Sequence, residues 1–273
     1  MSSSSISAAN ILRLATSVKE HLSYVHIPTA SDIGLVLVNG WCSTLSGSRK
    51  NNFFAQCARR RKLTLTAYDH YAHGLSSGSM DKFTIGAAKQ DLLRVLDEVV
   101  APNQRQILIG SSMGYWLSLL AQRERPERIA GIVGIGGAPN FTALLLDELA
   151  PGQIDHLTHL ARTEQRASYQ RPSQYDPAGY EVGWSLLQEG QQHYITKGWK
   201  VSCPVRLFHG MRDRDMPWTE AIKYIDYMDS RDVTITLIKD GNHRLSREQD
   251  LKQVAKELDL LSGCEMMGAE REA

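Results

Sequence analysis

Short apolar runs alternate with longer stretches of helical periodicity along most of this chain. The runs are nearly continuous in valine, isoleucine and leucine, as in strands that are covered on both faces. They predict strands at Ser23–Pro28, Gly34–Val38, Leu63–Ala67, Gln106–Ile109, Ile129–Ile135, Val205–Phe208 and Val233–Ile238. Helical spacing of apolar residues predicts helices at Asn51–Arg61, Thr84–Val99, Met113–Arg123, Thr219–Met228 and Ser246–Leu261. This alternation predicts an α/β fold with a mostly parallel central sheet flanked by helices.

The alternation stops between Pro139 and Lys200 and resumes at Val201. The intervening stretch has helical and loop character and contains no convincing strand. In a sheet protein, such a stretch is typical of a helical cap inserted over the strand ends. We therefore expect one domain over residues 1–273, with a cap insertion at about residues 140–200.

The N-terminal segment is open to two interpretations. It carries Arg13, Lys19 and many serines, with no acid before Glu20, which faintly resembles a mitochondrial transit peptide. A plain helix from about Ile6 to His21 explains the same composition equally well. We expect an intracellular protein, cytoplasmic in the first place and mitochondrial as the alternative.

Composition narrows the classes of partner. The formal net charge is +1, with 42% apolar and 22% charged residues, which is typical of an ordinary globular protein. Such a charge gives no electrostatic reason to expect nucleic acid or an anionic membrane surface. No apolar run approaches the ~18 residues that a membrane span needs. The four cysteines are scattered, which indicates neither a zinc site nor a disulfide framework.

The pattern Gly-x-Ser-x-Gly occurs twice, at residues 74–78 and at residues 110–114. A nucleophilic serine in this pattern must lie on a tight turn between a buried strand and a helix. The second match has a predicted strand directly before it and a predicted helix directly after it, whereas the first has no helix start at the required place. We therefore predict Ser112 as the nucleophile and interpret Ser76 as a loop residue.

A serine nucleophile needs a histidine base that is oriented by a carboxylate, in the chain order serine, acid, histidine. His243 stands in a short loop after a late predicted strand and is our candidate base. The preceding strand ends near two aspartates, and we favour Asp213 over Asp215 because of its position in the turn. His209, at the end of that strand, is interpreted as a structural residue that hydrogen-bonds the turn.

The oxyanion that develops during acyl transfer needs preorganised N–H donors. One predicted donor is the backbone N–H of Met113, directly after the nucleophile. The other should come from the loop after an early strand, where the N–H of Trp41 fits and that of Cys42 is a less favoured substitute. The Cys42 thiol itself is interpreted as a small packed residue rather than a reactive group.

These motifs in their order resemble the α/β-hydrolase superfamily, whose fold the chain is then expected to share. The resemblance covers roughly Ser23 to Leu261 and is carried by an Asn-Gly-Trp loop, Tyr68–Gly74, Gly-Ser-Ser-Met-Gly, His-Gly-Met-Arg-Asp and Gly-Asn-His. Within the superfamily, Gly110–Leu117 and Ser202–Trp218 are most similar to mitochondrial S-depalmitoylases (palmitoyl-protein thioesterases), also described as acyl-glucuronide esterases. This resemblance implies a serine hydrolase that acts on an acyl ester or thioester.

Two residues depart from the family pattern. Tyr115 replaces the glycine usual after the nucleophile turn, and Asn39 replaces the His or Pro usual before the oxyanion-loop glycine. We expect both to line the substrate pocket, together with Trp116 and with Trp184 of the insertion, so that the pocket favours an apolar acyl or aromatic group. No phosphate-binding loop or cluster of metal ligands is visible, so no cofactor or metal is predicted.

Three hypotheses remain open for the function. The first is a hydrolase of carboxylic esters or acyl thioesters that acts on a small-molecule or acylated substrate. The second applies the same three residues to a biosynthetic intermediate, for example to release a polyketide thioester or cleave a C–C bond. The third is a non-catalytic ligand-binding protein on a hydrolase scaffold. The complete set of Ser112, Asp213 and His243 argues against the third, and the sequence gives no oligomeric state.

Overall fold

The computed structural model describes residue 6, residues 10–163 and residues 165–263 of the chain. Its central sheet has eight strands in the order β1-β2-β4-β3-β5-β6-β10-β12. These strands are β1 (Leu12–Ala15), β2 (His21–Ile27), β3 (Ile33–Val38), β4 (Thr64–Tyr68), β5 (Arg105–Ser111), β6 (Ile129–Ile135), β10 (Val205–Gly210) and β12 (Val233–Ile238). All the pairs from β4 to β12 are parallel, and only β1–β2 and β2–β4 are antiparallel. The predicted mostly parallel sheet is therefore confirmed, with each of the seven predicted strands present.

The predicted N-terminal helix is wrong over the residues that the structure describes. Residues 12–15 instead form the edge strand β1, which pairs with β2 through a turn closed by the N–H of Thr16 and the carbonyl oxygen of Glu20. Leu12 and Leu14 alternate with Arg13, which is the period of a strand. The open edge of β2 supplies the hydrogen bonds that the strand needs. Residues 7–9 of the predicted helix lie outside the described residues.

Two groups of helices cover the sheet. The helices outside the insertion are α1 (Arg49–Arg60), α2 (Ile85–Arg94), α3 (Met113–Glu124), α7 (Trp218–Asp226) and α8 (Glu248–Ser262). One apolar cluster joins α1 and α8 to the sheet, and a second joins α2, α3 and α7 to it. The predicted helix Thr84–Val99 is α-helical as far as Arg94 and π-helical over Val95–Val99. The sheet is therefore buried on both faces, as its apolar strands require.

The chain between β6 and β10, which we call the insertion, departs from the strand–helix alternation. It contains α4 (Phe141–Asp147), α5 (Pro151–Arg162), α6 (Trp184–Gly190), the antiparallel strands β7 (Ser168–Arg171) and β8 (Tyr180–Gly183), and β9 (Trp199–Lys200), which pairs with β11 (Met228–Asp229). The expectation that this stretch contains no strand is wrong. The strands β7 and β8 have only four residues each and mix polar with apolar residues, so no apolar run marks them in the sequence.

The described residues include no helix long and apolar enough to cross a membrane. The division of the chain into one domain with a cap remains our interpretation of this architecture.

Candidate active site

Ser112 lies on a tight turn between β5 and α3. Its backbone has φ 53° and ψ −118°, a region that residues with a side chain rarely occupy. A Cβ added at Gly110 would lie 2.6 Å from the carbonyl oxygen of Gly114, and one added at Gly114 would overlap the carbonyl oxygen of Val38. Both glycines are thus required by the close approach of strand and helix. The turn presents the Ser112 side chain at the carboxyl end of β5.

The serine of the other Gly-x-Ser-x-Gly match, Ser76, makes hydrogen bonds that hold a loop in place. Ser76 Oγ donates a hydrogen bond to the carbonyl oxygen of Asp69 at 2.7 Å and accepts one from the N–H of Ser23 at 2.8 Å. It joins a loop to β2, as the interpretation of Ser76 as a loop residue requires.

The structure brings Ser112, His243 and Asp213 together from three separate loops. His243 Nε2 lies 2.9 Å from Ser112 Oγ, and His243 Nδ1 lies 2.7 Å from Asp213 Oδ2. Asp213 follows β10 and His243 follows β12, and these two strands are parallel neighbours. Their carboxyl ends therefore meet at the same edge of the sheet, beside the end of β6 and the Ser112 turn. These distances match those that the predicted nucleophile, base and orienting acid require.

Asp213 is held in its charged form although it is buried. Burial opposes the charge, but hydrogen bonds from His209, His243 and the N–H of Met216 hold the pKa of Asp213 well below its usual range. His209 Nε2 lies 2.9 Å from the carbonyl oxygen of Met216 and 3.2 Å from Asp213 Oδ2. His209 thus hydrogen-bonds the turn, which agrees with the structural role predicted for it.

Asp215 points to the insertion instead of His243. Its carboxylate lies 3.8 Å from the Arg171 guanidinium and 3.5 Å from the amide nitrogen of Gln174. Ligand-type atoms of Asp213, Asp215 and His243 also lie within 4.8 Å of one another, as a metal site would require. Both ring nitrogens of His243 already have partners in Ser112 and Asp213, so this arrangement fits the hydrogen-bonded triad better than a metal site.

The loop after β3 lies against the Ser112 turn. A Cβ at Gly40 would stand 3.1 Å from Ser112 Cβ, so the loop residue directly before Trp41 lies against Ser112. The N–H of Cys42 donates a hydrogen bond to His73 Nε2 at 3.0 Å, which engages the donor that we considered a substitute for Trp41. Met113 is the first residue of α3, where backbone N–H groups have no partner within the helix. Burial and the nearby Asp176 raise the pKa of the Cys42 thiol to about 12, so this thiol remains protonated.

A cavity of about 490 Å³ opens over Ser112 and His243. One part of its wall is apolar and includes Trp41, Phe141, Leu144, Leu145 and Tyr180. The Trp41 ring stacks on Phe141, with 6.0 Å between ring centroids, and meets the edge of Tyr180 at 5.5 Å. Another part is charged and includes Arg49, Lys50, Glu148, Arg171, Asp215 and Arg244. The insertion and the sheet loops therefore build the cavity together.

Four residues that we expected to line the pocket lie in the core instead. Tyr115 and Trp116 are fully buried, Trp184 is 5% exposed and Asn39 is 5% exposed. The Tyr115 ring lies against Gly134 and Gly137, where an added Cβ would overlap it, and the Trp116 indole N–H donates to the carbonyl oxygen of His193 at 3.0 Å. The predictions for Tyr115 and Trp116 are wrong because α3 turns inward after Ser112 and is buried almost all round. The prediction for Trp184 is wrong because this residue is buried at the start of α6. Asn39 uses its amide within the core, donating to the carbonyl oxygen of Tyr68 at 3.3 Å.

No pattern in the sequence identifies Lys50, which lies half-buried against Ser111, next to Ser112 in the chain. Its ammonium donates hydrogen bonds to Ser111 Oγ and, at 3.1 Å, to the carbonyl oxygen of Arg244. Burial and the Arg244 charge lower the pKa of Lys50 to about 8. Arg244 in turn lies over the Tyr175 ring at 4.0 Å. These contacts join residues far apart in the chain, so no local motif could have identified them.

Comparisons with known proteins identify the family of this chain. A family model described as serine aminopeptidase, S33, matches residues 32–250. The mouse protein named palmitoyl-protein thioesterase ABHD10, mitochondrial, is 30% identical over 220 residues, which cover 80% of this chain and 71% of that protein.

Solved structures extend the similarity to the fold. Alpha/beta hydrolase domain-containing protein 10 from mouse superposes with a TM-score of 0.81 and 27% identity, covering 92% of this chain and 97% of that one. A putative hydrolase from Agrobacterium vitis gives a TM-score of 0.82 and 26% identity with the same coverage of 92% and 97%. The expected resemblance is therefore confirmed. The chain belongs to the α/β-hydrolase superfamily, in the family described by the serine aminopeptidase S33 model, and is similar to palmitoyl-protein thioesterase ABHD10.

Proposed function

We propose that this chain is a serine hydrolase that cleaves carboxylic esters or acyl thioesters through an acyl-Ser112 intermediate. The observation that carries the proposal is the continuous chain of hydrogen bonds from Ser112 Oγ through His243 to Asp213, at 2.9 Å and 2.7 Å. A serine hydroxyl is a weak nucleophile until a base can remove its proton. His243 Nε2 stands where that base must stand.

The geometry supports a two-step reaction. As Ser112 Oγ attacks the substrate carbonyl carbon, His243 Nε2 takes its proton, and the charged Asp213 stabilises the imidazolium. The N–H groups of Trp41 and Met113 are the donors that we assign to the developing oxyanion. The bond to the leaving oxygen or sulfur then breaks, and His243 returns the proton to it. In the second step His243 activates a water, which releases the acid and regenerates Ser112.

The cavity favours an acyl group over a peptide N-terminus. The apolar wall of Trp41, Phe141 and its neighbours suits an acyl chain or an aromatic acid. An aminopeptidase, as the family model is described, needs acidic side chains to bind a free ammonium. The two acids of the cavity wall face Arg171, at 2.8 Å from Glu148 and 3.8 Å from Asp215. The name of the mouse relative, a palmitoyl-protein thioesterase, also supports acyl ester or thioester substrates.

We further propose a mitochondrial rather than a cytoplasmic location. Support comes from the name of the mouse relative, which includes the word mitochondrial. Fractionation of cells that express the full chain with a C-terminal tag tests this, with protection of the tag from added protease in intact mitochondria as the expected result. A tag recovered wholly in the cytosolic fraction would contradict the proposed location.

A fluorophosphonate probe, which reacts with activated serines, tests the nucleophile. We expect the wild-type chain to be labelled and the Ser112→Ala variant to lose labelling completely. Ser76→Ala is the matched control, because it removes the serine of the other Gly-x-Ser-x-Gly match and should leave labelling intact.

Turnover of acyl p-nitrophenyl esters and acyl thioesters of increasing chain length then tests the substrate class. We expect hydrolysis that is lost together with labelling in Ser112→Ala. Labelling that persists in Ser112→Ala would contradict the nucleophile assignment. Labelling without turnover of any acyl substrate would favour a biosynthetic hydrolase, and the absence of both would favour a ligand-binding protein.

A further inference from the structure

The ammonium of Lys50 connects two segments of the candidate active site. It donates hydrogen bonds to Ser111 Oγ and, at 3.1 Å, to the carbonyl oxygen of Arg244. Ser111 directly precedes Ser112 in the chain, and Arg244 directly follows His243. Lys50 therefore joins the segments that carry the proposed nucleophile and the proposed base. We call these two hydrogen bonds the Lys50 bridge.

One side of the Lys50 bridge belongs to the packed part of the fold. Lys50 is the second residue of α1, a helix whose N-cap Ser48 accepts the N–H of Asn51 at 3.2 Å. The buried face of this helix packs on the sheet. Ser111 is the last residue of β5, which pairs with β3 and β6. Arg244, by contrast, lies in the loop after β12, so the bridge ties this loop to a packed helix and a central strand.

The other hydrogen bonds of the loop after β12 lead elsewhere. Asn242 Oδ1 accepts the N–H groups of Arg244 and Leu245, each at 3.1 Å, and these bonds stay within the loop. The carbonyl oxygen of Gly241 accepts the N–H of Arg212 at 2.9 Å, which joins the loop to the one after β10. These contacts shape the loop but do not reach the end of β5.

The hydrogen bond between His243 and Ser112 is lost during the proposed reaction. In the acyl-enzyme, Ser112 Oγ is an ester oxygen and has no proton to donate to His243 Nε2. Asp213 still holds the ring at Nδ1, but the other end of the ring has lost its protein partner. Among the hydrogen bonds of the described residues, the Lys50 bridge is then the one that still joins the His243 loop to the end of β5.

The environment of Lys50 is unfavourable for a charged side chain. Among the described residues, no carboxylate lies within 4.0 Å of its ammonium. Burial and the Arg244 charge lower the pKa of Lys50 to about 8. A cation that is withdrawn from water without an opposite charge costs free energy of folding. Residues that break a local rule in this way are expected at functional sites.

We infer that Lys50 is a positioning residue, which keeps His243 in place while water hydrolyses the acyl-enzyme. This inference rests on the proposed function, since it needs an acyl-Ser112 intermediate. In that step the water oxygen bonds to the acyl carbon while His243 Nε2 takes a proton from the water. The bond to Ser112 Oγ then breaks, and His243 returns the proton to this oxygen. Lys50 hydrogen-bonds neither of these side chains and acts through the loop that carries His243.

Substitution of Lys50 should slow the two steps of the reaction unequally. Lys50→Met keeps the length of the side chain and removes its donors. We expect the deacylation rate constant to fall by about tenfold to a hundredfold, because misplacement of a reacting group by about 1 Å can cost about 10² in rate. The acylation rate constant should change by less than about threefold, since Ser112 still holds His243 in the free enzyme.

The kinetics of a p-nitrophenyl ester separate these steps. In Lys50→Met, kcat and KM should fall together and kcat/KM should stay near the wild-type value, because kcat/KM reports only the steps up to acylation. Stopped-flow measurement should show a burst of p-nitrophenolate of about one equivalent per active site. An equal fall of the acylation and deacylation rate constants would overturn the inference, because a general structural defect would produce it.

Two further variants separate the Lys50 bridge from other effects of losing a lysine. Lys50→Arg keeps N–H donors at this position and should retain most of the wild-type deacylation rate. Lys89→Met removes a lysine that pairs with Glu124 at 3.1 Å, outside the cavity wall, and should leave both rate constants unchanged. Deacylation that is as slow in Lys50→Arg as in Lys50→Met would overturn the inference.

Crystal structures of two variants test the bridge without any hydrolysis. Ser112→Ala removes the same contact to His243 Nε2 that acylation removes. We expect His243 to keep its position in Ser112→Ala and to move by about 1 Å or more, enough to impair a reacting group, in Ser112→Ala/Lys50→Met. An unmoved His243 in the double variant would overturn the inference. Absence of fluorophosphonate labelling in the wild-type chain would overturn the proposed function instead, and these two structures would still test the bridge.

Discussion

At the scale of single residues, the orientation of one carboxylate distinguishes two neighbouring aspartates. Asp213 Oδ2 contacts His243 and Asp213 Oδ1 accepts the N–H groups of Asp215 and Met216, each at 2.9 Å. The backbone thus fixes the Asp213 carboxylate toward His243. Asp215, two positions later, turns toward Arg171 in the insertion.

This difference predicts unequal effects of two isosteric substitutions. Asp213→Asn should lower kcat by about 10³–10⁴, because an amide stabilises neither the productive His243 tautomer nor the imidazolium. Asp215→Asn should lower it by less than about tenfold, since it leaves His243 and its partner in place. Steady-state turnover of a short-chain acyl ester near neutral pH measures the loss of kcat in both variants. Comparable losses in the two variants would contradict the assignment of Asp213.

The candidate site was predictable wherever a residue follows a strand of the parallel part of the sheet. Ser112, Asp213 and His243 each follow an apolar run, and parallel strands bring such positions to one edge. Lys50 and His73 were not predictable, since they reach the site through the path of a helix and a loop rather than a motif. The prediction that Tyr115 lines the pocket is wrong because the direction of this side chain depends on the rotation of α3 about its own axis.

At the scale of elements, the helix α2 holds a buried acid that supports the loop after β4. Asp91 is 7% exposed, and its Oδ2 accepts the N–H of Tyr71 at 2.7 Å. Burial raises the pKa of Asp91 to about 7, against the lowering effect of this hydrogen bond. The folded chain therefore binds the Asp91 proton more tightly than the unfolded chain does. A carboxylate with this shift destabilises the fold progressively as the pH rises from its unfolded pKa to its folded pKa.

Asp91→Asn should therefore stabilise the protein at alkaline pH. The amide oxygen still accepts the Tyr71 N–H, and no charge is buried. We expect the gain in the free energy of unfolding to grow by about 4 kcal/mol between about pH 4 and pH 7 and to level off above that range. Urea denaturation of both proteins across this range measures the gain. Asp155→Asn, at an exposed position on α5, controls for general loss of a carboxylate, and an equal pH dependence in that variant would contradict the explanation.

The elements that the sequence predicts are those with a strong apolar pattern. Central strands such as β3, with Leu35–Val38 buried on both sides, carry that pattern themselves. The strands β1, β7 and β8 are short and only partly buried, and they exist because a neighbouring strand offers hydrogen bonds. Pairing of this kind is a property of the assembled chain, so local periodicity does not reveal it.

At the scale of the whole molecule, the cavity lies where the insertion meets the sheet loops. Phe141, the first residue of α4, contacts the Trp41 ring from the insertion side, and its edge meets Trp116 at 5.8 Å. It belongs to the apolar wall and takes no part in the hydrogen bonds that join Ser112, His243 and Asp213. In the proposed reaction, the insertion would therefore contribute to binding of the acyl group, and the sheet loops would carry the residues assigned to bond cleavage.

Phe141→Ala should separate these two contributions. We expect KM for an octanoyl ester to rise by about fivefold to tenfold, since loss of one apolar contact of about 1 kcal/mol changes affinity by that order. The corresponding acetyl ester, which is too short to reach far along the wall, should change little. Phe53→Ala, on α1, is the matched truncation outside the cavity wall. An equal change in KM for both esters would contradict the role of Phe141 in binding the acyl chain.

The half-buried Lys50 has a consequence for heat tolerance. The helix α1 begins with Arg49 and Lys50 and has no acid in its first turn, where the helix dipole favours negative charge. An acidic residue at position 50 would suit the helix dipole better, yet the carbonyl oxygen of Arg244 beside the site would then lose the donor that Lys50 provides. Selection for a more thermostable chain would therefore act against the site at this position.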